Sequence, residues 1–501
     1  MVRSARPRSR PRCAVALASC AAVTLLSQPG RAQPEDNDYA VDLFQGVILA
    51  PTRVTSMGGA YAGYAEGISG FVSNAAAPAV REPFSSGWVD MDMQPSISVP
   101  LDLFENNDFD NSGDIDADYS NFIYLSIGTQ LQLGPFGAGF FGDLQRYALS
   151  FPSTTGAGEE DTVVTVGRYH VLFGWHFFNN QLIGGGGIRA LTLGVAATDA
   201  DLTIAGLAPQ LGVLVKPDWT PFRLGATYRH AVSAGTSIGS GRSVDEAGVE
   251  RAGRLILPER VELPWEVELG LAIQVGSRPL NPAWINPTDH EAELRRTYAR
   301  RARKRRHQMD RQLAAIPPGP TREKVRARLE DQNQRVQRRE DRRLERDLER
   351  LRDERRARFA NWPREGLLMN LDLLITGPVD RAISLERFLA QGQPSPAPTA
   401  CKVVASGEDV NFSPRLGVEM EPVRRWIHTR FGTYYEPPRY TYDSERCNDR
   451  VGRQHFTFGA DLKLFSTTWW GLVPEVTYKV QGYGDLAPRY QSFGATIGVW
   501  H

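Results

Sequence analysis

Three short stretches of this 501-residue chain carry residue types at spacings that chemistry uses. Gly235-Thr236-Ser237-Ile238-Gly239 has the letters of a hydrolase nucleophile elbow, in which a serine sits on a sharp turn between a strand and a helix. Here Ser240-Gly241-Arg242-Ser243 follows, a loop-like continuation without helical period, so the motif lacks the context that makes serine reactive. Asp108-Phe109-Asp110-Asn111-Ser112-Gly113-Asp114-Ile115-Asp116 presents oxygen groups at alternate positions around a glycine, as calcium loops do. Asp108, Asp110, Ser112, Asp114 and Asp116 would be the ligands, but Tyr119 stands where an EF-hand loop places its bidentate glutamate. Two readings therefore stay open, a looser calcium site on an external loop and a solvated acidic loop. The eight histidines show no metal-ligand spacing, and no phosphate-binding glycine loop opens a helix. No other cofactor and no covalent chemistry is implied, and the chain is not expected to be an enzyme.

The elements that must position these residues follow from a repeated pattern. From residue 85 onward, segments of about ten alternating apolar and polar residues are closed off by turn residues, the signature of a transmembrane β-barrel. In the cleanest copy Val261, Leu263, Trp265, Val267, Leu269, Leu271, Ile273 and Val275 share one face, with Glu262, Glu266, Glu268 and Gln274 on the other. Strands are expected at 85–99, 121–134, 136–150, 160–178, 181–197, 204–216, 220–232, 261–275, 366–377, 410–421, 424–436, 453–465, 468–481 and 489–501. No apolar run reaches the roughly eighteen residues of a spanning helix. The fold class is an all-β membrane protein, a fourteen-stranded antiparallel barrel with an N-terminal plug and an inserted α-helical hairpin. Long and short connections alternate, which puts short turns and both chain ends in the periplasm and long loops outside. Charges assigned inward, among them Arg168, His170, Arg223, Arg229, Glu266, Glu268, Asp372, Arg415, Glu419, Arg430 and Asp461, would pair across the lumen. An ion facing lipid near the midplane would instead cost roughly 2 to 4 kcal/mol.

Residues 1–32 read as a cleaved export signal: Arg3, Arg6, Arg8, Arg10 and Arg12, an apolar stretch from Ala14 to Leu26, then small residues around Ala32. Its removal takes Cys13 and Cys20, and the surviving Cys401 and Cys447, on consecutive external loops, are expected to form one disulfide. The chain has 58 Lys and Arg against 58 Asp and Glu, but the charge is segregated. Residues 289–360 hold 24 of the basic and 14 of the acidic side chains, so an acidic body carries one basic insert. That insert reads as two helices, 289–315 and 321–359, around Pro317-Pro318-Gly319-Pro320. Sparse apolar residues and opposite charges three or four apart mark it as a solvated, periplasmic hairpin. Such a hairpin could meet a periplasmic partner, peptidoglycan or anionic lipid headgroups, and the exported compartment argues against nucleic acid.

Ahead of the first strand, Met57-Gly58-Gly59-Ala60 leads to Asn74-Ala75-Ala76-Ala77-Pro78-Ala79 in a small-residue stretch too compact and interrupted to span a membrane. This stretch closely resembles the N-terminal hatch of the FadL/TodX family, outer-membrane transporters of long-chain fatty acids and aromatic hydrocarbons. The likeness is specific at Met57, Gly58, Gly59 and Ala60 and looser at Asn74 and Pro78, where the family has a contiguous Asn-Pro-Ala box. The resemblance implies a Gram-negative outer-membrane channel for passive uptake of a hydrophobic small molecule, released laterally into membrane lipid beside a kinked third strand. Gly137, Gly139 and Gly142 would make that kink here. The resulting division is 1–32 signal, 33–84 hatch, 85–278 eight strands, 279–365 periplasmic hairpin and 366–501 six strands. The alternative is a structural or adhesion barrel that anchors the hairpin and loops.

Overall fold

The computed structural model describes residues 34–82, 87–99, 108, 111, 120–152, 159–235, 237–284, 286–361, 363, 365–391, 403–442, 452–467 and 476–499. The signal segment, Cys401, Cys447, and Asp110, Ser112, Asp114 and Asp116 of the acidic loop lie outside the described residues. In chain order, β1 (Ala40–Asp42) and the short helix α1 (Thr52–Thr55) precede seven long strands. These are β2 (Val89–Val99), β3 (Ser120–Leu133), β4 (Phe136–Pro152), β5 (Glu159–Phe177), β6 (Leu182–Ala197), β7 (Ala200–Val215) and β8 (Phe222–Arg229). Short strands follow: β9 (Val232–Ala234), β10 (Ser237–Ser240), β11 (Ser243–Val244), β12 (Glu250–Ala252), β13 (Leu255–Ile256) and β14 (Arg260–Leu263). Then come β15 (Glu266–Gly276), the helices α2 (Pro287–Ala314) and α3 (Pro320–Ala360), β16 (Gly366–Thr376), β17 (Ala382–Ser384), α4 (Leu385–Leu389) and β18 (Val403–Ser406). The chain finishes with β19 (Asn411–Val423), β20 (Ile427–Glu436), β21 (Tyr440–Tyr442), β22 (Arg453–Thr467), β23 (Val476–Ala487) and β24 (Tyr490–Val499).

Fourteen of these strands, β2 to β8, β15, β16, β19, β20 and β22 to β24, form one antiparallel ring, closed where β7 pairs with β8 and β24 with β2. Closure leaves no sheet edge for lipid to desolvate. Outward rows are apolar and exposed, as at Met91, Met93, Phe173, Leu207, Leu211, Phe456 and Ile497, so the barrel presents a lipid-facing surface. The ring is weakest at its seam. β3 pairs with β2 from Val89 to Ser98, whereas the described ladder to β24 covers only Ser96 to Val99. Pro95, just below the last paired residue, has no N–H to continue it.

Proline and glycine end two ladders earlier than the sequence expectation, and two further differences concern the chain's beginning and β4. The strand expected over 261–275 is split at Pro264-Trp265, and the next expected strand stops at Thr376 before Gly377-Pro378. Beyond that level the chain folds into a six-stranded cap in the order β21-β18-β17-β1-β14-β9. β1 is inserted between β14 and β17, parallel to both. The described N-terminal residues therefore sit at the long-loop end, not with the C-terminus at the short-turn end. β4, expected to kink, pairs without a register shift to β5 from Phe136 to Pro152 and to β3 across the same glycines. No lateral opening separates it from its neighbours at Gly137, Gly139 or Gly142.

α2 and α3 pack antiparallel at the short-turn end. Tyr298 donates to Asp347 at 2.5 Å, Arg305 reaches Glu340 at 2.6 Å, and Leu313 and Leu348 are buried. At 1.5 Å per residue, the 41-residue α3 is about 62 Å long.

Candidate functional site

Residues 51–80 fold inside the ring as a chain of tight turns, and their seat is built from missing side chains on the wall. A Cβ at Gly137 would lie 1.9 Å from the Pro78 carbonyl oxygen, at Gly185 2.3 Å from that of Ala75, and at Gly225 2.0 Å from that of Ala62. At Gly270 it would lie 2.2 Å from the Gly63 nitrogen, and at Gly432 2.3 Å from the Gly58 nitrogen. The wall glycines, spaced around the barrel, bring hatch backbone against strand backbone. Gly137 and Gly139 serve this seat, with Gly139 facing the Phe71 ring, whereas Gly142 points outward against Tyr169 and Phe140.

Within the hatch, Gly58 and Gly59 take left-handed φ values of 61° and 72°, which side chains disfavour. This turn buries Met57 fully against Gly417 and Gly432 and sends Ala60 into the next turn. Asn74 closes the later turn: its Oδ1 accepts from the Ala76 N–H at 3.0 Å, and its Nδ2 donates to the carbonyls of Ala62 and Val213 at 3.1 Å each. Pro78 lies in a 3-10 turn, and its carbonyl accepts from Gln130 at 3.0 Å and Gln132 at 2.9 Å. From the wall, Asp372 Oδ2 accepts both the Tyr61 and Ala62 N–H groups at 2.6 Å. Arg53 forks onto Glu419 at 2.9 and 2.7 Å, Glu419 meets Arg430 at 2.6 Å, and Arg430 reaches Asp461 at 2.7 Å.

Beside the hatch lies an interior cavity of about 110 Å³, room for several water molecules. One side is charged: Arg168, Arg189, Arg229, Arg415, Glu266 and Glu268, with His170 accepting or donating to Gln210 at 3.2 Å. The other side is the backbone and side chains of Phe44 to Ala50. The charges are mutually paired, with Arg189 2.8 Å from Glu266, Arg229 2.8 Å from Glu268 and Arg168 3.0 Å from Asp143. Above this level the lumen turns apolar. Tyr147, Leu149, Val164, Val166, Leu191, Leu193, Leu202 and Ile204 of the wall enclose Tyr39, Val41, Leu43 and Val47, together with Phe388 and Leu389 of α4.

The short-turn mouth is closed by the strand-to-helix connection, which sequence reasoning assigned only to the hairpin. Arg223 donates to the Leu280 carbonyl at 2.5 Å and to Asn281 Oδ1 at 2.7 Å, and lies 2.7 Å from Glu66. Asn281 Nδ2 then donates to the carbonyls of Pro217, Thr220 and Phe222 at 2.8 to 3.0 Å. Trp284 lies under Arg81, whose guanidinium is 4.8 Å from its ring. Burial raises the Glu66 carboxyl, but Arg223 and Lys216 overcome it and hold the group below its ordinary range. Lys216, in the turn after β7, is pushed down to about 7 by burial and by Arg223, against the pull of Glu66 and Glu82. The asparagine at 281, one residue before a proline, gave no readable signal of this role.

Of the other sequence candidates, Ser237 lies in β10, paired to β7, with no helix after it, so no elbow forms. Asp108 and Asn111 are buried, and the Asp108 carbonyl accepts from Arg453 at 2.7 Å. No group of His, Cys, Asp and Glu that could hold a metal occurs among the described residues.

No family model matches the chain, and no curated protein matches its sequence. Among solved structures it is similar to the toluene transporter TodX of P. putida, at 10% identity and a TM-score of 0.42, covering 92% of this chain and 98% of that one. It is also similar to the CymD monoaromatic hydrocarbon channel, at 9% identity and a TM-score of 0.40, covering 91% and 97%. CdiB from Acinetobacter baumannii follows at 8% and 0.33, covering 82% and 60%. The shared feature is the barrel, which this chain closes with its own ladder of fourteen strands.

Proposed function

We propose that this protein is an outer-membrane channel for passive uptake of hydrophobic small molecules, with long-chain fatty acids or hydrocarbons as the substrate class. The observation that carries this reading is the apolar long-loop half of the lumen, which a water-filled pore has no use for. A barrel interior is ordinarily polar. Here its apolar wall is covered by residues 39–47 and α4, segments of the chain that a hydrophobic guest would displace at little net loss of apolar contact. The hatch resemblance to the FadL/TodX family supports the same class. With β4 unbroken and the short-turn mouth closed, release into lipid runs through the lower seam between β2 and β24, where wall pairing stops at Ser96.

The test is uptake of radiolabelled oleate and toluene by cells carrying the protein or an empty vector. Gln94 Nε2 of β2 reaches over β24 to Gln481 Oε1 of β23 at 3.0 Å, so cysteines at both positions bridged by a short bismaleimide tie β2 to the far side of the seam and should block uptake. Uptake no greater than in vector cells would overturn the function, and undiminished uptake after bridging would overturn only the exit.

A second reading is favoured by the paired charges that seal the middle of the lumen: a barrel that anchors the helical hairpin without transport. It predicts vector-level uptake, together with loss of envelope attachment when the hairpin is removed.

A further inference from the structure

The hairpin meets the barrel at a cleft that neither uptake nor anchoring by itself explains. About 430 Å³ in volume, it is lined by the first turns of α2, the last turns of α3, and Gly87 and Trp88 just ahead of β2. Three guanidinium groups, Arg295, Arg352 and Arg355, face it with a single carboxylate, Glu291. Glu291 is shared among all three, at 3.9 Å from Arg295, 3.2 Å from Arg352 and 3.1 Å from Arg355. Hydrogen bonding from Arg352 and Arg355 keeps that carboxyl below its ordinary range, so it stays charged, and positive charge remains in excess in the cleft. Arg355 spends one nitrogen on Glu291, while its Nε and Nη1 are covered and have no protein partner. Those two nitrogens are donors that a phosphate oxygen could take up once the side chain turns into the cleft, since guanidinium pairs well with phosphate.

The position decides which phosphate. Trp88 is 43% exposed, and the outward row that follows it, Val89, Met91 and Met93, is 54%, 79% and 51% exposed. Those side chains face lipid, and a tryptophan at the start of such a row marks the depth of lipid headgroups. The cleft therefore opens at the level of the headgroup layer, directly beside acyl-chain contacts. We propose that it binds the phosphate of an anionic phospholipid headgroup in the short-turn leaflet. The acyl chains lie along the Val89 row, the phosphate is held by Arg295 and Arg355, and Trp88 packs against the glycerol region. The hairpin base is then clamped to the membrane surface, which fixes the direction of a long, solvated arm that makes few contacts with the barrel.

The test uses the full-length protein, delipidated in detergent and checked for heat-modifiable folded barrel. Native mass spectrometry should retain dioctanoyl phosphatidylglycerol more tightly than dioctanoyl phosphatidylcholine, which carries the same phosphate without net charge. Arg295→Gln with Arg355→Gln should weaken phosphatidylglycerol retention by about tenfold or more. Because Arg355 also helps join the two helices, Arg295→Gln alone is the second variant. Its side chain is 56% exposed and its pairing long, so folding should be untouched while retention still falls. Equal retention by the folded variants and the parent would overturn the site. Inorganic phosphate competing as well as the lipid would overturn the lipid assignment, as would arginine-dependent binding to purified peptidoglycan without lipid preference.

Discussion

Two adjacent glycines on β6 test whether the wall is shaped to seat the hatch. A Cβ at Gly184 meets nothing within 4 Å, whereas one at Gly185 lies 2.3 Å from the Ala75 carbonyl oxygen and 2.5 Å from the Ala76 Cα. Both Gly185 contacts are to backbone, so no side chain can swing aside. Gly185→Ala must push the hatch off the wall or bend the strand, and overpacking of this kind costs about 1 to 3 kcal/mol. Displacement also breaks the bond from Asn74 Nδ2 to the Val213 carbonyl, worth about 1 kcal/mol. A combined cost of about 3 kcal/mol raises the undocked population of the hatch by about a hundredfold. β6 pairs with both neighbours over its whole length, so the barrel itself should survive. Gly184→Ala removes the same backbone freedom without a clash and should be neutral or slightly stabilising, by about 0.5 kcal/mol. Limited proteolysis and hydrogen exchange over residues 54–79, with heat modifiability as the barrel control, read the difference. Equal protection in the two variants would refute the argument that wall glycines seat the hatch.

Asp372→Ala leaves the Tyr61 and Ala62 N–H groups buried without an acceptor, at about 1 to 3 kcal/mol each, and should speed exchange at those two amides; Asp372→Asn, which keeps an oxygen, should do so less. Lys216 titrates near 7 in the folded protein and at its ordinary 10.5 when unfolded, so the unfolded chain binds the extra proton between those values. Stability should therefore be level below about pH 7 and rise from about pH 7 toward pH 10, by at most about 5 kcal/mol, and Lys216→Met should flatten that rise in urea titrations. Cys401 and Cys447, the two cysteines that survive removal of the signal, should form a disulfide. Non-reduced peptide mapping checks the bond, which would contribute about 4 kcal/mol by closing its loop. Replacing 288–360 with a short glycine-serine linker should leave a heat-modifiable barrel, because Asn281 and Trp284, which close the mouth, remain.

The strands were legible because their signal is local. Alternation with period two fixes a face, and each of the fourteen expected windows meets a barrel strand, least well at 468–481, where β23 begins only at Val476, and best in the outward Leu269 and inward Glu268 of β15. The helical hairpin was legible for the same reason, through charges three and four apart. What failed to show depends on the whole ring. Val261 and Leu263 continue the alternation of β15 perfectly, yet across the break at Pro264 they belong to the cap and point into its apolar core, a change of surroundings that period alone cannot show. Gly137 and Gly139 look like kink residues in a sequence, since a glycine needed for bending and one needed for close approach are the same letter. Only their distances to Pro78 and Phe71 tell the two apart. Asn281 and Asp372 serve distant carbonyls and amides through single side chains, and nothing in the neighbouring residues announces it.

Three barriers lie in series along the lumen, and their chemistry decides which one yields to a hydrophobic guest. Breaking one partner out of the buried Arg53, Glu419, Arg430 and Asp461 chain leaves an uncompensated charge, at about 3 to 5 kcal/mol, and an apolar guest returns nothing for it. The mouth at Asn281 would lose three hydrogen bonds and strand Arg223 beside Glu66, with the same lack of compensation. The cap differs. Val41, Leu43 and Val47 contact the wall through apolar surface, and a guest of similar size restores that contact at roughly 25 cal/mol per Å². Besides packing, the segment is held by the β1 ladder, the buried pair of Asp42 with Arg439 at 2.9 Å, and hydrogen bonds from Tyr39 Oη to the Ile256 carbonyl at 2.5 Å and from Gln45 Nε2 to Tyr147 Oη at 3.0 Å. On the proposed uptake reading, opening would begin at residues 39–47, at the cost of the Asp42 pair, and a guest in their place would stand above the paired charges, on the apolar side of a polar belt. On that reading, passage beyond the belt would require the hatch to shift, which parts Arg53 from Glu419 and breaks the wall bonds to Tyr61, Ala62, Asn74 and Pro78.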